Sequence, residues 1–283
     1  MKIGIFPFQK YHGRREGSIG SSVIRGDWLA DVWDEAEIFQ EAKKYSFIIF
    51  QKVYWKKYLE AYDGIKILDL CDPDWLSGDL LLKQIEPLVD AITCSSQGLA
   101  DFVKKIVDKP VYCIPDRINL EIMNAKKEHK GITKKVGWFG YYHNAQAVLP
   151  YIIQYLDKLN LELLVISNQR FENTTRFDIE LEWRKFDWQS IIDDLISCDV
   201  VLNPSTPNLQ KRSHMYKTNN KSLISWSLGI PVATSLEQLE GLMGEKERQE
   251  ESKRKLDLVK KEYDIKLSVE QFKEIIKKIC QKT

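Results

Sequence analysis

The chain has 283 residues, 43% of them hydrophobic and 29% charged, with a formal net charge of +1. That length accommodates one large α/β domain or two smaller ones, and the composition is ordinary for a globular protein with a real core. The even charge balance leaves no basic excess of the kind carried by proteins that live on the nucleic-acid backbone, and no apolar run approaches the ~18 residues that cross a bilayer.

The start, MKIGIFPF, has one lysine and a short apolar run, so it reads as a first strand and not as a signal peptide. The five cysteines are scattered and never form a C-x-x-C pair. They read as reduced core residues of a cytoplasmic protein, with no disulfide framework and no metal site.

Apolar, β-branched runs alternate with amphipathic stretches, the pattern of βαβ units around parallel sheets. In the first half the expected strands are KIGIF from Lys2, AEIF from Ala36, FIIF from Phe47, KILDL from Lys66, AITCS from Ala91 and VYCIP from Val111. Helices are expected between them, at Ser22 to Trp33 and Gln97 to Val107. In the latter, Leu99, Phe102, Val103 and Ile106 recur at helical spacing.

The polar, lysine-rich stretch 121–135 reads as an interdomain linker. Alternation then restarts. Strands are expected at VGWFG from Val136, LELLVIS from Leu161, DVVLNP from Asp199 and IPVATS from Ile230. The helices between them run from Asn144 to Leu159, Trp188 to Ser197 and Asn219 to Leu228. The fold class is α/β, with two Rossmann-like domains facing a cleft. The domains are 1–120, holding the acceptor, and 136–265, holding the donor. A charged helix follows, and 266–283 carries a C-terminal helix placed to cross back to the first domain. Its stripe of Val269, Phe272, Ile275, Ile276 and Ile279 reads as core packing.

Parallel sheets bind ligands beyond the carboxyl ends of their strands, so the strand-to-helix corners are the places to search. The first corner holds Gly17, Gly20, Ser21 and Ser22 leading into a helix with Arg25. Small residues there let backbone N–H groups approach an anion, with Arg25 adding a charge-assisted contact; a polar loop capping a helix reads equally well. It is neither G-x-G-x-x-G nor a P-loop. The second corner, LDLCDPDWLSGD, clusters Asp69, Asp72 and Asp74. Asp72 is either a base or hydroxyl-binding group, or one of a set of turn residues.

The third corner follows Gly137 and Gly140, where Asn144 is an N-cap and His143 is more often structural than catalytic. The fourth is the strongest: an irregular Pro/Ser/Thr/Asn loop enters a helix near Asn219, with Lys217 and Lys221 at its first turn. Cations at a helix N-terminus work against its dipole. A bound diphosphate reconciles the two, since lysines and N-terminus then attract the same anion. Surface charge is the plainer alternative. Gly229 and Pro231 end that helix and open the next strand.

These residues resemble the GT-B glycosyltransferases, especially their family-4-like retaining branch. The likeness rests on the GWFG opening of the second half, the CDVVLNPS strand, and the series Lys217, Asn220, Lys221, Leu223, Gly229, Pro231, Val232 and Ala233. GSIGSSVIRGDWL, the LDLCDPDWL corner and ITCSSQGLADFV add to it in the first half.

The resemblance implies an enzyme that moves a sugar from a nucleotide-diphosphate sugar to an acceptor glycan, lipid or nucleic acid, with no cofactor and no metal. By position, Lys217, Asn220 and Lys221 would hold diphosphate or ribose, with Lys221 stabilising the leaving group. Gly140 and Tyr141 would line the phosphate path. Asn168, Arg170 and Trp183 would contact the donor, Gly20, Ser21 and Arg25 would form an acceptor or phosphate loop, and Asp72 would face the acceptor or reacting sugar. The chain departs from the family at two positions where glutamates are common, here Tyr216 and Ile224; the Arg–Lys pair usual after the Gly-rich opening is not evident, and Lys211 and Arg212 are the candidates to replace it. A non-catalytic nucleotide-sugar-binding protein, a sugar epimerase and a DNA-base glucosyltransferase remain alternatives.

Overall fold

A computed structural model describes residues 2–11, 20–74, 82–204, 216 and 218–281. Gly17, Lys211, Arg212 and Lys217 lie outside the described residues. The chain forms two compact units: Met1–Asn119 with Leu209–Asn219 and Tyr263–Thr283, and Leu120–Asn208 with Asn220–Glu262.

The first unit is built on a parallel sheet of β1 (Ile3–Pro7), β2 (Ala36–Ile38), β3 (Phe47–Gln51), β4 (Ile65–Leu70), β5 (Ala91–Cys94) and β6 (Val111–Cys113), in the order β2-β1-β3-β4-β5-β6. The register aligns Ile5 with Ile49, Ile49 with Ile67 and Ile67 with Ala91. Helices cover such sheets on both faces, so inner strands read as unbroken apolar runs, as FIIFQ does with all five residues buried. Helix Gln97–Val103 lays Leu99, Ala100 and Val103 on the core formed by Ile48, Phe50, Leu68 and Ile92. Ser96 caps it by accepting from the Leu99 N–H at 3.2 Å. Helix Lys266–Cys280 belongs to this unit, its expected stripe buried and Phe272 stacked on Trp33 at 6.0 Å.

One regular helix was expected over Ser22 to Trp33. The structure has a helical turn Gly20–Ser22, a π-helical Val23–Asp27 and an α-helix Trp28–Val32. Two features account for the widened turn. Gly26 passes so close to β1 that a Cβ would lie 3.0 Å from Pro7 Cβ, and Arg25 points inward rather than to solvent.

The second unit holds β7 (Lys135–Gly140), β8 (Glu162–Ser167), β9 (Leu181–Lys185), β10 (Val200–Leu202) and β11 (Val232–Ala233), all parallel, in the order β11-β10-β7-β8-β9. Helix Tyr142–Lys158 buries Ala145, Val148, Leu149, Ile152, Ile153 and Leu156 at helical spacing against Trp138, Leu163 and Val165. The sequence pattern does not predict β9. It is an edge strand whose LEWRK carries three charges, with Glu182 bridging Lys135 and Arg184 at 2.5 and 2.6 Å.

The stretch 121–135 is not the open linker its composition suggests. It packs on the second unit, with Met123, His129 and Thr133 buried. Its backbone is satisfied there: Lys127 N–H donates to Leu228 O and Thr133 N–H to Met243 O, both at 2.8 Å. Arg248, fully buried on helix Glu245–Glu262, donates to the Thr133 hydroxyl at 2.7 Å and to Gly131 O at 2.8 Å. A polar segment stays in place because one guanidinium supplies its carbonyls with donors.

Candidate functional site

In the second unit the strand order turns back between β7 and β10, the point where doubly wound sheets hold ligands. β7 ends there in Gly140, and β10 runs out at Leu202 towards Asn203. Helix Asn220–Ser227 begins beside them, its Ser222 hydroxyl accepting from Asn203 Nδ2 at 3.2 Å.

Lys221, in the first turn of that helix, reaches back over β7. Its Nζ lies 4.4 Å from the Trp138 ring centroid and 5.9 Å from that of Phe139. The same ammonium stands 2.7 Å from where a Cβ on Gly140 would be, and Gly140 has φ +152°, which L side chains rarely adopt. The backbone conformation favours glycine here, and a Cβ would displace the ammonium. The dipole cost of a lysine at this end is about 0.3–1 kcal/mol. The face of the buried Trp138 offsets it through a cation–π contact of similar size. The helix therefore does not need a ligand to tolerate Lys221. Beside the lysine, Asn220 Oδ1 is buried with no hydrogen-bond partner among the described residues.

The other residues assigned to the donor lie at the ends of β7, β8 and β9. Asn168 Oδ1 accepts from the Tyr142 N–H at 2.8 Å and so holds the first turn of the helix after Gly140. Trp183 donates its indole N–H to Ser167 Oγ at 3.0 Å and to Gln169 O at 2.9 Å. That leaves ring surface and no donor for a ligand. Arg170 is exposed, and Tyr141, 46% exposed, stacks on His143 with centroids 5.8 Å apart.

In the first unit the order reverses between β1 and β3. Gly20 and Ser21 begin the helical turn of this corner. Ser22 is buried, its hydroxyl accepting from the Gln9 N–H at 3.1 Å and donating to Gln51 Oε1 at 3.0 Å.

Arg25 requires a correction: its guanidinium is taken up by two carboxylates of the chain itself and does not point out to a ligand. It is 6% exposed, chelates Asp69 at 2.7 and 2.6 Å, and donates to Asp116 at 2.6 Å and to Ile114 O at 2.9 Å. Burial opposes its charge, but the two carboxylates win and raise its pKa well above the usual value. Asp69 is likewise structural, also accepting from Thr93 Oγ1 at 2.6 Å.

Asp72 is on the surface of this corner, 40% exposed at its side chain, and pairs with Lys52 Nζ at 2.7 Å; Asp74 meets the same ammonium at 3.1 Å. Lys52 just follows β3, with φ +55°, and its Nζ lies 5.4 Å from the Phe8 ring centroid. Burial works against its charge, yet the facing Cys71, Asp72 and Asp74 raise its pKa. Sequence reasoning missed Lys52, because no motif surrounds it. A non-glycine residue at positive φ is a structural signal only.

No protein-family model matches the chain, and no curated protein sequence does. Solved structures do. Anabaena HepE, crystallised with UDP and glucose, is similar over 98% of this chain and 100% of its own, at 12% identity and TM-score 0.67. AviGT4, a glycosyltransferase of avilamycin A biosynthesis, is similar over 97% and 96% at 10% identity and TM-score 0.57. The UDP-forming α,α-trehalose-phosphate synthase of Burkholderia vietnamiensis is similar over 91% and 83% at 9% identity and TM-score 0.51.

The chain has the GT-B glycosyltransferase fold. Within the GT-B fold the Gly140–Lys221 corner lies in the C-terminal unit and the Lys52–Asp72–Asp74 corner in the N-terminal one. Among the described residues no helix is long and apolar enough to cross a membrane.

Proposed function

We propose that this chain transfers a glycosyl group from a nucleotide-diphosphate sugar to an acceptor, in the manner of the family-4-like retaining branch it resembles. One observation carries the reading: at the β7/β10 reversal the Lys221 ammonium, in the first turn of helix Asn220–Ser227, lies over the Trp138 ring and 2.7 Å from where a Cβ on Gly140 would stand. A cation held over an aromatic ring, the N-terminus of a helix and a backbone without a Cβ make a site suited to a diphosphate. The structural relatives support it, since HepE is seen with UDP and glucose and the trehalose-phosphate synthase is UDP-forming.

In this reading Lys221, with Lys217 and Asn220, holds the diphosphate or ribose. Gly140 and Tyr141 line its path, and Asn168, Arg170 and Trp183 border the rest of the donor. As the bond from the anomeric carbon to the diphosphate oxygen breaks, that oxygen gains charge, and Lys221 and the helix N-terminus stabilise it. Asp72, Gly20 and Ser21, all in the first unit, serve the acceptor. No metal is required, so turnover is expected to survive EDTA unchanged.

The test is thermal-shift screening against UDP, GDP, CDP and dTDP sugars. At least one is expected to raise the melting temperature, and Lys221→Ala to abolish that rise. Stabilisation by none of them would exclude a donor site. A second reading, a nucleotide-sugar-binding protein without transfer, is favoured by Tyr216 and Ile224. Where many relatives carry glutamates, one position holds a ring packed 5.1 Å from Phe102 and the other a buried aliphatic chain. A donor that binds and is neither hydrolysed nor transferred would select it.

A further inference from the structure

The first unit carries a second feature at its β1/β3 reversal that the donor site does not use. Trp55, three residues beyond the Lys52 turn, is 60% exposed and is the one tryptophan among the exposed large hydrophobic residues described. It is not a lone surface ring. Tyr11, just after β1, lies against it with centroids 5.3 Å apart, and Tyr58 meets Tyr11 edge-on at 5.5 Å. The three rings join the two strands whose order reverses.

The polar groups of this corner follow the same turn, with Lys52 Nζ over Phe8, which shares the short helix Phe8–Tyr11 with Tyr11. Lys52 holds Asp72 and Asp74, and the Tyr54 hydroxyl donates to Asp74 at 2.7 Å. Both carboxylates keep exposure, 40% and 31% at the side chain.

We infer that this corner binds a saccharide, which makes the acceptor of the proposed reaction a carbohydrate. The inference rests on the glycosyl-transfer reading. A sugar ring has an apolar C–H face and a rim of hydroxyls. An exposed indole braced by a tyrosine suits the face, and an array of carboxylate, ammonium and phenol suits the rim, because each hydroxyl both donates and accepts. A nucleic acid also stacks on aromatic rings, but its phosphates need a positive groove. Two partly exposed carboxylates, sharing the single ammonium of Lys52, work against that.

The test is made without donor, so it is independent of the nucleotide site. In protein labelled with 15N at the indole nitrogens, the Trp55 signal is identified by its loss in Trp55→Phe. Maltose, cellobiose and N-acetylglucosamine are then titrated, with a thymidine oligonucleotide as control. At least one sugar is expected to move the Trp55 signal and leave the other tryptophan signals in place. Trp55→Ala is expected to weaken that binding roughly tenfold in calorimetry, and Asp74→Asn to weaken it with Trp55 intact. Nucleotide-sugar stabilisation should persist in both variants. A Trp55 signal unmoved by all three sugars, or moved more by the oligonucleotide than by any sugar, overturns the inference; loss of nucleotide binding in the wild type would instead sink the donor reading.

Discussion

Two cation arrangements, Lys221 beside Gly140 and Arg25 between two aspartates, decide what single residues can do here. At Gly140 an added Cβ meets the far end of a flexible side chain, Lys221 Nζ at 2.7 Å, before it meets the Trp138 ring at 3.0 Å. Gly140→Ala is therefore expected to push the ammonium off its ring and to strain φ by about 1–3 kcal/mol, without unfolding the unit. The measurable result is a larger loss in nucleotide-sugar affinity than in melting temperature. The reverse ordering would mean that Gly140 serves packing alone. Arg25 behaves oppositely. Removing it leaves Asp69 and Asp116 buried without their cation, and breaking such a pair costs about 3–5 kcal/mol. Arg25→Ala should lower the unfolding free energy of the first unit, read from urea denaturation, by an amount of that order and leave nucleotide binding in the second unit unchanged.

At the scale of elements, the 121–135 segment shows what composition conceals. Its His129 holds Gly229 O through Nε2 at 2.9 Å, and Gly229, at φ +73°, ends helix Asn220–Ser227. Burial lowers the His129 pKa from 6.5. The Gly229 carbonyl and Asp199 pull it up, Arg248 and Lys127 press it down, and the net shift is downward. The unfolded chain then takes up a proton more readily than the folded one. Stability from this group is complete above about pH 7, is lost as pH falls from 6.5 through the lower folded value, and levels off below it. His129→Gln keeps a donor for the carbonyl and cannot titrate. It is expected to flatten the melting temperature between about pH 7 and 5, whereas a wild-type curve already flat there would show that the strap does not sense protons.

Legibility followed the same division. Buried parallel strands such as FIIFQ and ELLVIS could be read directly, because both faces are apolar. The edge strand β9 could not, since its charges serve cross-strand pairs. The Gly140 and Lys221 corner was legible as two motifs, because each follows a strand and opens a helix. Their contact across 81 positions was not, nor was the inward turn of Arg25, whose partners lie 44 and 91 residues away. Trp55 carries no motif at all, and only its exposure beside Tyr11 marks it.

For the whole molecule, the consequence of two cores is that two ligands should protect different amides. The first unit buries Ile48, Phe50, Leu68 and Ile92, and the second Trp138, Leu149, Leu163 and Val165, in separate apolar clusters. A ligand stabilises what it binds by RT ln(1 + [L]/Kd), about 2.7 kcal/mol at a hundredfold excess over Kd. Core-strand amides exchange through opening of their own unit, so that gain falls on the unit which holds the ligand. With a nucleotide sugar bound, hydrogen exchange is expected to slow in β7, β8 and β10 and to stay unchanged in β1, β3 and β4. A saccharide should give the converse pattern. Lys221→Ala should erase the first effect and spare the second, and Trp55→Ala should do the reverse. Protection of β1 and β3 by nucleotide alone would move the donor to the first unit and leave the Gly140–Lys221 corner as packing.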